Sequence, residues 1–73
     1  MTAHIVNVSV PHEQRVQRYT VNEKPVSLEI DGTQRDEGFV IDVERPPLLD
    51  DDECAALEAF FKTETGMILK IKR

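Results

Sequence analysis

One strong helix signal stands near the end of a chain whose other apolar segments alternate as strands do. Asp50 is a favourable N-cap, and Glu53, three residues later, can reach back to the backbone N–H of the cap. Gly66 is a natural left-handed stop for the same helix. The spacing predicts a helix over about 50–65. Because it is the one helix indicated, its apolar stripe has to pack on a sheet, and this limits the possible folds.

The apolar stripe of the predicted helix is formed by residues that recur at helical spacing. At about 100° per residue, one side collects the side chains of Cys54, Leu57, Phe60 and Phe61. Leu49, just before the cap, is placed to pack against Cys54 as a hydrophobic staple. Cys54 is therefore interpreted as a buried thiol of the core.

The first third of the chain alternates with a period of two, which indicates strands. A first strand ends before Pro11, since proline is disfavoured inside a sheet. One face of this strand is formed by His4, Val6, Val8 and Val10. Residues 14–21 fit either a strand or a short helix, and the clustered Val, Tyr and Thr favour the strand.

Asp31-Gly32 directly follows an alternating segment, residues 26–30. This dipeptide readily adopts the positive φ of a type I′ turn, so a hairpin is predicted there. The apolar stretch 39–43 supplies a further strand. Between them, Thr33–Arg35 either belongs to a long loop or extends the second strand as an exposed arm.

These elements predict an α+β fold for a single domain over 1–73. We expect a two-layer sandwich in which a four- to five-stranded, mostly antiparallel sheet carries the helix on one face, with a final strand over 67–72. Val, Ile, Leu and Phe make up 21 of the 73 residues. That fraction is well above the ~20% below which disorder is expected, so the chain is expected to fold.

The net charge of −5 is unevenly distributed. Residues 31–60 carry ten carboxylates against Arg35 and Arg45, whereas residues 61–73 carry four cationic side chains against Glu64. An acidic middle argues against general nucleic-acid binding, which needs a basic face. It favours a basic protein partner or serves solubility alone.

No pattern in the chain points to catalysis, a cofactor or a metal. The acidic run 50–53 lacks the alternating spacing and central glycine of a calcium loop, and a helix cap explains it. Residues 31–38 match neither an EF-hand nor a phosphate loop. His4, His12 and the single cysteine, Cys54, do not have metal-ligand spacing. The sequence predicts a protein that is not an enzyme and binds no cofactor.

These observations favour a small protein-interaction or regulatory module that binds another protein through its acidic surface (31–53) or through an edge strand. The acids singled out for this contact are Asp36, Glu37, Asp42, Glu44 and Asp51. With no apolar run near the roughly 20 residues of a membrane span and no secretory signal, we expect a cytoplasmic protein without a membrane contact. We expect a monomer or a weak homodimer.

Two other function classes remain open. The basic C-terminal strand, with Lys70, Lys72 and Arg73, suits a nucleic-acid-binding accessory domain, although the acidic composition makes nucleic acid the less favoured partner. The small size also suits a structural subunit of a bacterial or phage assembly.

Overall fold

The computed structural model describes residues 3–73, which form six strands and one helix. In chain order these are β1 (Ile5–Asn7), β2 (Val16–Val21), β3 (Lys24–Glu29), β4 (Thr33–Arg35), β5 (Gly38–Val43), α1 (Asp51–Thr65) and β6 (Ile68–Ile71). The predicted α+β class is confirmed, with six strands instead of four or five. The ambiguous residues 14–21 contain the strand β2, as favoured by their composition.

The strands form two three-stranded sheets, not the single sheet that was predicted. The first sheet has the order β1-β2-β3 and is antiparallel throughout. The second has the order β4-β5-β6, in which β4 is antiparallel to β5 and β6 is parallel to it. The parallel pair arises because α1 carries the chain back between β5 and β6, as a crossover helix does. The prediction of mostly antiparallel pairing is confirmed.

Helix α1 begins and ends where its local signals predict. The Asp50 side chain accepts a hydrogen bond from the Glu53 backbone N–H at 2.8 Å, and the Glu53 carboxylate accepts one from the Asp50 backbone N–H at 3.0 Å. This is the predicted capping box. Gly66 ends the helix with φ of 77°, the left-handed conformation that glycine adopts without strain.

The hydrophobic core lies where α1 meets both sheets. Cys54, Leu57 and Phe61 of α1 are fully buried, which confirms the predicted stripe at these positions. Tyr19 of β2 is also fully buried, and its ring meets Phe60 and Phe61 edge-on at centroid distances of 6.0 and 6.2 Å. The core therefore joins the helix to both sheets.

One of two two-residue hairpin connections among residues 3–73 lies at Asn22-Glu23, between β2 and β3. Both residues have positive φ, 50° and 70°, and Val21 pairs with Lys24 across them. This is the geometry of a type I′ turn. The Asn22 side chain supports it by accepting a hydrogen bond from the His4 backbone N–H at 2.8 Å.

The hairpin turn predicted at Asp31-Gly32 is wrong. These two residues connect β3 of the first sheet to β4 of the second, and β3 and β4 do not pair. A Cβ added at Gly32 would lie 2.3 Å from the backbone oxygen of Val40, so glycine is required there by close approach to β5. Thr33–Arg35 is neither part of a long loop nor an extension of the next strand: it is a separate exposed strand, β4, that pairs antiparallel with β5.

Strand β1 is shorter than the predicted alternation, and its one valine, Val6, points outward, as does Val8 just after the strand. Val6 and Val8 are 39% and 45% exposed, whereas Ile5 packs against the core. The Asn7 side-chain oxygen accepts a hydrogen bond from the Ser9 backbone N–H at 2.8 Å. Such a local turn competes with strand pairing, which explains the early end of β1.

Candidate functional site

A groove separates the edge of the first sheet from the second sheet. It is lined by residues 25–29, Asp31 and residues 42–47, and its volume is about 580 Å³. That volume falls in the range of about 300–1,000 Å³ that is typical of ligand clefts. We call it the β3–β5 groove.

The groove exists because β3 and β4 hydrogen-bond to different sheets. β4 pairs with β5 over Gly38–Val40, next to the close approach of Gly32 to Val40. β3 pairs with β2 instead, so residues 25–29 and 42–47 face each other without joining in one sheet. Gly32 therefore stands at the closed end of the groove.

The register of the β2–β3 hairpin shows which backbone groups of β3 face the groove. Val21 and Lys24 flank a two-residue turn and so form a hydrogen-bonded pair. The Ile30 N–H donates to the Arg15 carbonyl at 2.8 Å, so the even-numbered residue also bonds to the neighbouring chain just beyond the far end of the strand. Even-numbered residues of β3 therefore bond to β2, and odd-numbered residues direct their backbone groups to the open edge.

Three odd-numbered residues form this open edge, and they offer different groups. Pro25 has no N–H and presents a carbonyl alone. Ser27 presents both an N–H and a carbonyl. Glu29 presents its N–H, because its carbonyl accepts a hydrogen bond from the Asp31 N–H at 3.0 Å. The edge can therefore donate and accept hydrogen bonds with another chain.

The lining of the groove is acidic. Glu29 and Asp31 lie on the β3 side, and Asp42 and Glu44 lie on the β5 side. The guanidinium of Arg45 is the one cationic group of the lining, and it is turned to the chain's own atoms. It donates to the Leu49 carbonyl at 3.1 and 2.9 Å and lies 2.8 Å from the Asp51 carboxylate.

The ion pairs of the groove acids within the described residues are exposed and long. Asp42 lies 3.8 Å from Arg35, and Glu44 lies 3.4 Å from Lys72. Exposed pairs of this kind contribute about 0–1 kcal/mol. A cationic ligand can therefore replace Arg35 beside Asp42, or Lys72 beside Glu44, at little cost in free energy.

Beneath the carboxylates, the groove has an apolar side. Val26 and Leu28 of β3 and Val43 of β5 belong to the lining and point towards the core, opposite the exposed Ser27 and Glu29. The lining is therefore divided into an inner apolar layer and an outer acidic layer.

The structure separates the five acids that the sequence singled out. Asp42 and Glu44 lie in the groove and are exposed, as their alternation with Ile41 and Val43 predicts. Asp36 and Glu37 form the turn between β4 and β5, and Asp51 lies at the start of α1 beside Arg45. The five do not form one cluster.

Two groove acids were not among the five singled out: Asp31 stands at the start of the predicted acidic surface, and Glu29 lies outside it. Glu29 is the last residue of β3, where it follows the buried Leu28, and Asp31 lies two residues beyond the end of the strand. A search for acidic residues at or just beyond the ends of predicted edge strands would have identified both.

Glu53 is a nearly buried carboxylate with a structural role. It accepts hydrogen bonds from the Asn22 side chain at 2.8 Å and from the Lys24 ammonium at 2.8 and 3.0 Å, in addition to the capping bond from Asp50. The Lys24 hydrogen bond, followed by those from Asp50 and Asn22, lowers the pKa of Glu53 from its ordinary value of 4.5 to about 2. Glu53 thus ties α1 to the β2–β3 hairpin.

We expect Glu53→Gln to make the free energy of unfolding less dependent on pH under acidic conditions. A carboxylate whose pKa is depressed by folding stabilises the fold above its unfolded pKa and loses that effect as pH falls through the folded value. For Glu53 this window runs from about pH 4.5 to about pH 2. Urea unfolding followed by circular dichroism between pH 7 and pH 2 measures it. Glu29→Gln, at an exposed carboxylate, is the control, and identical pH slopes for wild type and Glu53→Gln would contradict the assignment.

The basic C-terminal strand is engaged within the chain. Lys70 lies 3.9 Å from Glu37, Lys72 lies 3.4 Å from Glu44, and Arg73 lies 2.9 Å from Glu58. Of these pairs, the one with Arg73 is short, whereas the two lysine pairs are long and exposed and hold their cations only weakly.

The cysteine and the other candidate ligand residues are not arranged as a binding site in the part of the chain that the structure describes. Cys54 is a buried free thiol, and burial raises its pKa, so the reactive thiolate is disfavoured. Across residues 3–73, no three His, Cys, Asp or Glu side chains are placed to hold a metal ion. Nor does this part of the chain contain a helix long and apolar enough to cross a bilayer.

Comparisons of the chain with protein-family models, curated proteins and solved structures found no significant match. The function therefore has to be inferred from the β3–β5 groove itself.

Proposed function

We propose that this protein is a non-enzymatic protein-interaction module that docks a basic segment of another protein in the β3–β5 groove. The observation that carries the proposal is the groove lining, where four carboxylates face a cavity of about 580 Å³ and the single guanidinium is turned to the chain's own atoms. Opposite charge steers the encounter of two proteins and fixes their register.

The occupant is a segment of a protein because the β3 side of the groove offers backbone hydrogen-bonding groups. Nucleic acid is disfavoured by the same carboxylates, which repel phosphates. We expect the docking to take place in the cytoplasm, where a free thiol such as that of Cys54 stays reduced.

The test uses a fluorescein-labelled nonapeptide of alternating lysine and threonine, with a glutamate–threonine peptide as its charge-reversed counterpart. We expect fluorescence anisotropy to show binding of the lysine peptide alone, weakening as salt rises. The reason is that the screening length falls from about 8 Å at physiological ionic strength to about 3 Å at 1 M.

A groove-neutralised variant locates the binding. It combines Glu29→Gln, Asp31→Asn, Asp42→Asn and Glu44→Gln. The matched control removes four acids outside the groove lining, at Glu23, Asp36, Glu37 and Asp52. We expect the groove variant to lose roughly tenfold or more in affinity, about 1.4 kcal/mol, mainly through a slower association rate. Equal affinity for the two variants would show that net charge, and not the groove, attracts the peptide.

A further inference from the structure

We propose that the basic segment binds as an added β-strand along the edge of β3, and that it alternates basic and branched apolar residues. This inference rests on the proposed function and specifies the backbone mode and the sequence class of the partner segment.

The backbone mode follows from the open edge of β3. Ser27 directs an N–H and a carbonyl away from β2, and Glu29 adds a further N–H. An extended segment beside a sheet edge makes main-chain hydrogen bonds of this kind, while pockets for alternate side chains give specificity. β3 has six residues, about 20 Å of strand, so the edge suits a segment of about four to six residues.

The sequence class follows from the two layers of the groove. Successive side chains of a strand point to opposite faces of its sheet. A strand added to β3 therefore places every second side chain on the core side, beside the buried Val26 and Leu28 and the partly buried Val43. The side chains between them lie in the outer layer, beside Glu29, Asp42 and Glu44. Branched apolar residues fit the first layer, and lysine or arginine fits the second.

A second copy of this chain does not suit the edge through its own β3. Two β3 strands paired edge to edge would bring Glu29 and the neighbouring Asp31 of one copy against the acidic groove of the other. Like charges placed opposite each other in a sheet are destabilising. A different, basic chain therefore fits this edge better than a second β3 does.

Three labelled peptides of equal charge test the sequence class by fluorescence anisotropy. One alternates lysine and valine, one has the same composition in two blocks, and one alternates lysine and threonine. We expect the alternating lysine–valine peptide to bind about tenfold tighter than each of the others, because it alone buries apolar side chains and exposes lysines in strand register. Equal affinities for the three peptides would overturn the inference while leaving the proposed function standing. Failure of all three to bind would overturn both.

Ser27 provides a test of the backbone mode with a matched control. Ser27→Pro removes the N–H that faces the groove, in the same way that Pro25 lacks one two residues earlier. Ser27→Ala removes the hydroxyl, which accepts a hydrogen bond from Arg18 at 2.8 Å, and keeps the N–H. We expect Ser27→Pro to bind at least about tenfold more weakly than Ser27→Ala, and equal affinities for these two variants would overturn the backbone mode.

A second measurement keeps the backbone mode testable if Ser27→Pro fails to fold. Two versions of the lysine–valine peptide are made, one methylated at its odd-numbered backbone nitrogens and one at its even-numbered backbone nitrogens. The affinity of each for the unmodified protein is then measured. One version lacks the N–H groups that face β3, and the other does not, so we expect methylation in one version alone to abolish binding. Unchanged affinity for both versions would overturn strand addition.

Discussion

Leu57→Ala is expected to lower the free energy of unfolding by about 2–5 kcal/mol, the range measured for buried leucines elsewhere. Leu57 is fully buried at the centre of the α1 stripe, where the helix meets the core residues of both sheets. A chain of this length is expected to have a total stability of about 4–11 kcal/mol. The loss is therefore a large share of the whole, and urea unfolding followed by circular dichroism will show a much earlier midpoint.

Leu48→Ala is the matched control for this experiment. Leu48 is 56% exposed, so the same truncation removes few contacts. Exposed substitutions usually change stability by no more than about 0.5 kcal/mol. Equal midpoints for the two variants would mean that α1 does not pack on the sheets as described.

The helix could be predicted almost to the residue because its signals are local. The N-cap, the capping box and the left-handed stop lie within or next to the helix that they delimit. The positions of the helix ends therefore follow from local chemistry, without reference to tertiary contacts. The burial of Cys54, Leu57 and Phe61 follows from their spacing alone.

The turns were harder to predict because glycine and asparagine occur for two different reasons. One is the positive φ of a turn, and the other is a contact with a residue far away in the sequence. Asp31-Gly32 has the composition of a type I′ turn, but Gly32 is there because β5 passes too close for a side chain. The observed turn at Asn22-Glu23 contains no glycine, although both of its residues have positive φ, and the Asn22 side chain also bonds to His4 and Glu53. Long-range contacts therefore outweighed the local preference.

The acidity of the middle of the chain could be predicted, but the groove could not. Its walls come from strands of two different sheets, and the separation of these sheets depends on pairing that no local pattern encodes. Asp42 and Glu44 were placed on the solvent side by alternation. Their position opposite Glu29 and Asp31 requires the three-dimensional fold.

Gly32→Ala is expected to destabilise the fold by about 1–3 kcal/mol, the usual cost of forcing extra volume into a packed site. The added Cβ would lie 2.3 Å from the Val40 carbonyl oxygen and 2.9 Å from side-chain atoms of Ile41 and Phe39. The Val40 oxygen belongs to a backbone that is held by pairing with β4, so it cannot move away freely. Urea unfolding measures the loss in stability.

Gly66 offers a control in which the cost of a side chain has a different cause. At Gly66 an added Cβ meets nothing within 4 Å, but φ is 77°, so the cost comes from backbone conformation alone. Asparagine tolerates this conformation better than alanine does. Gly66→Asn should therefore destabilise the fold less than Gly66→Ala does, whereas Gly32→Asn should destabilise it at least as much as Gly32→Ala does.

Because Gly32 closes the groove, Gly32→Ala should also weaken the binding of the lysine–valine peptide, and Gly66→Ala should not. A Gly32→Ala variant with wild-type stability would mean that the connection between β3 and β4 does not approach β5 closely at Gly32, and the closed end of the groove would then be misplaced.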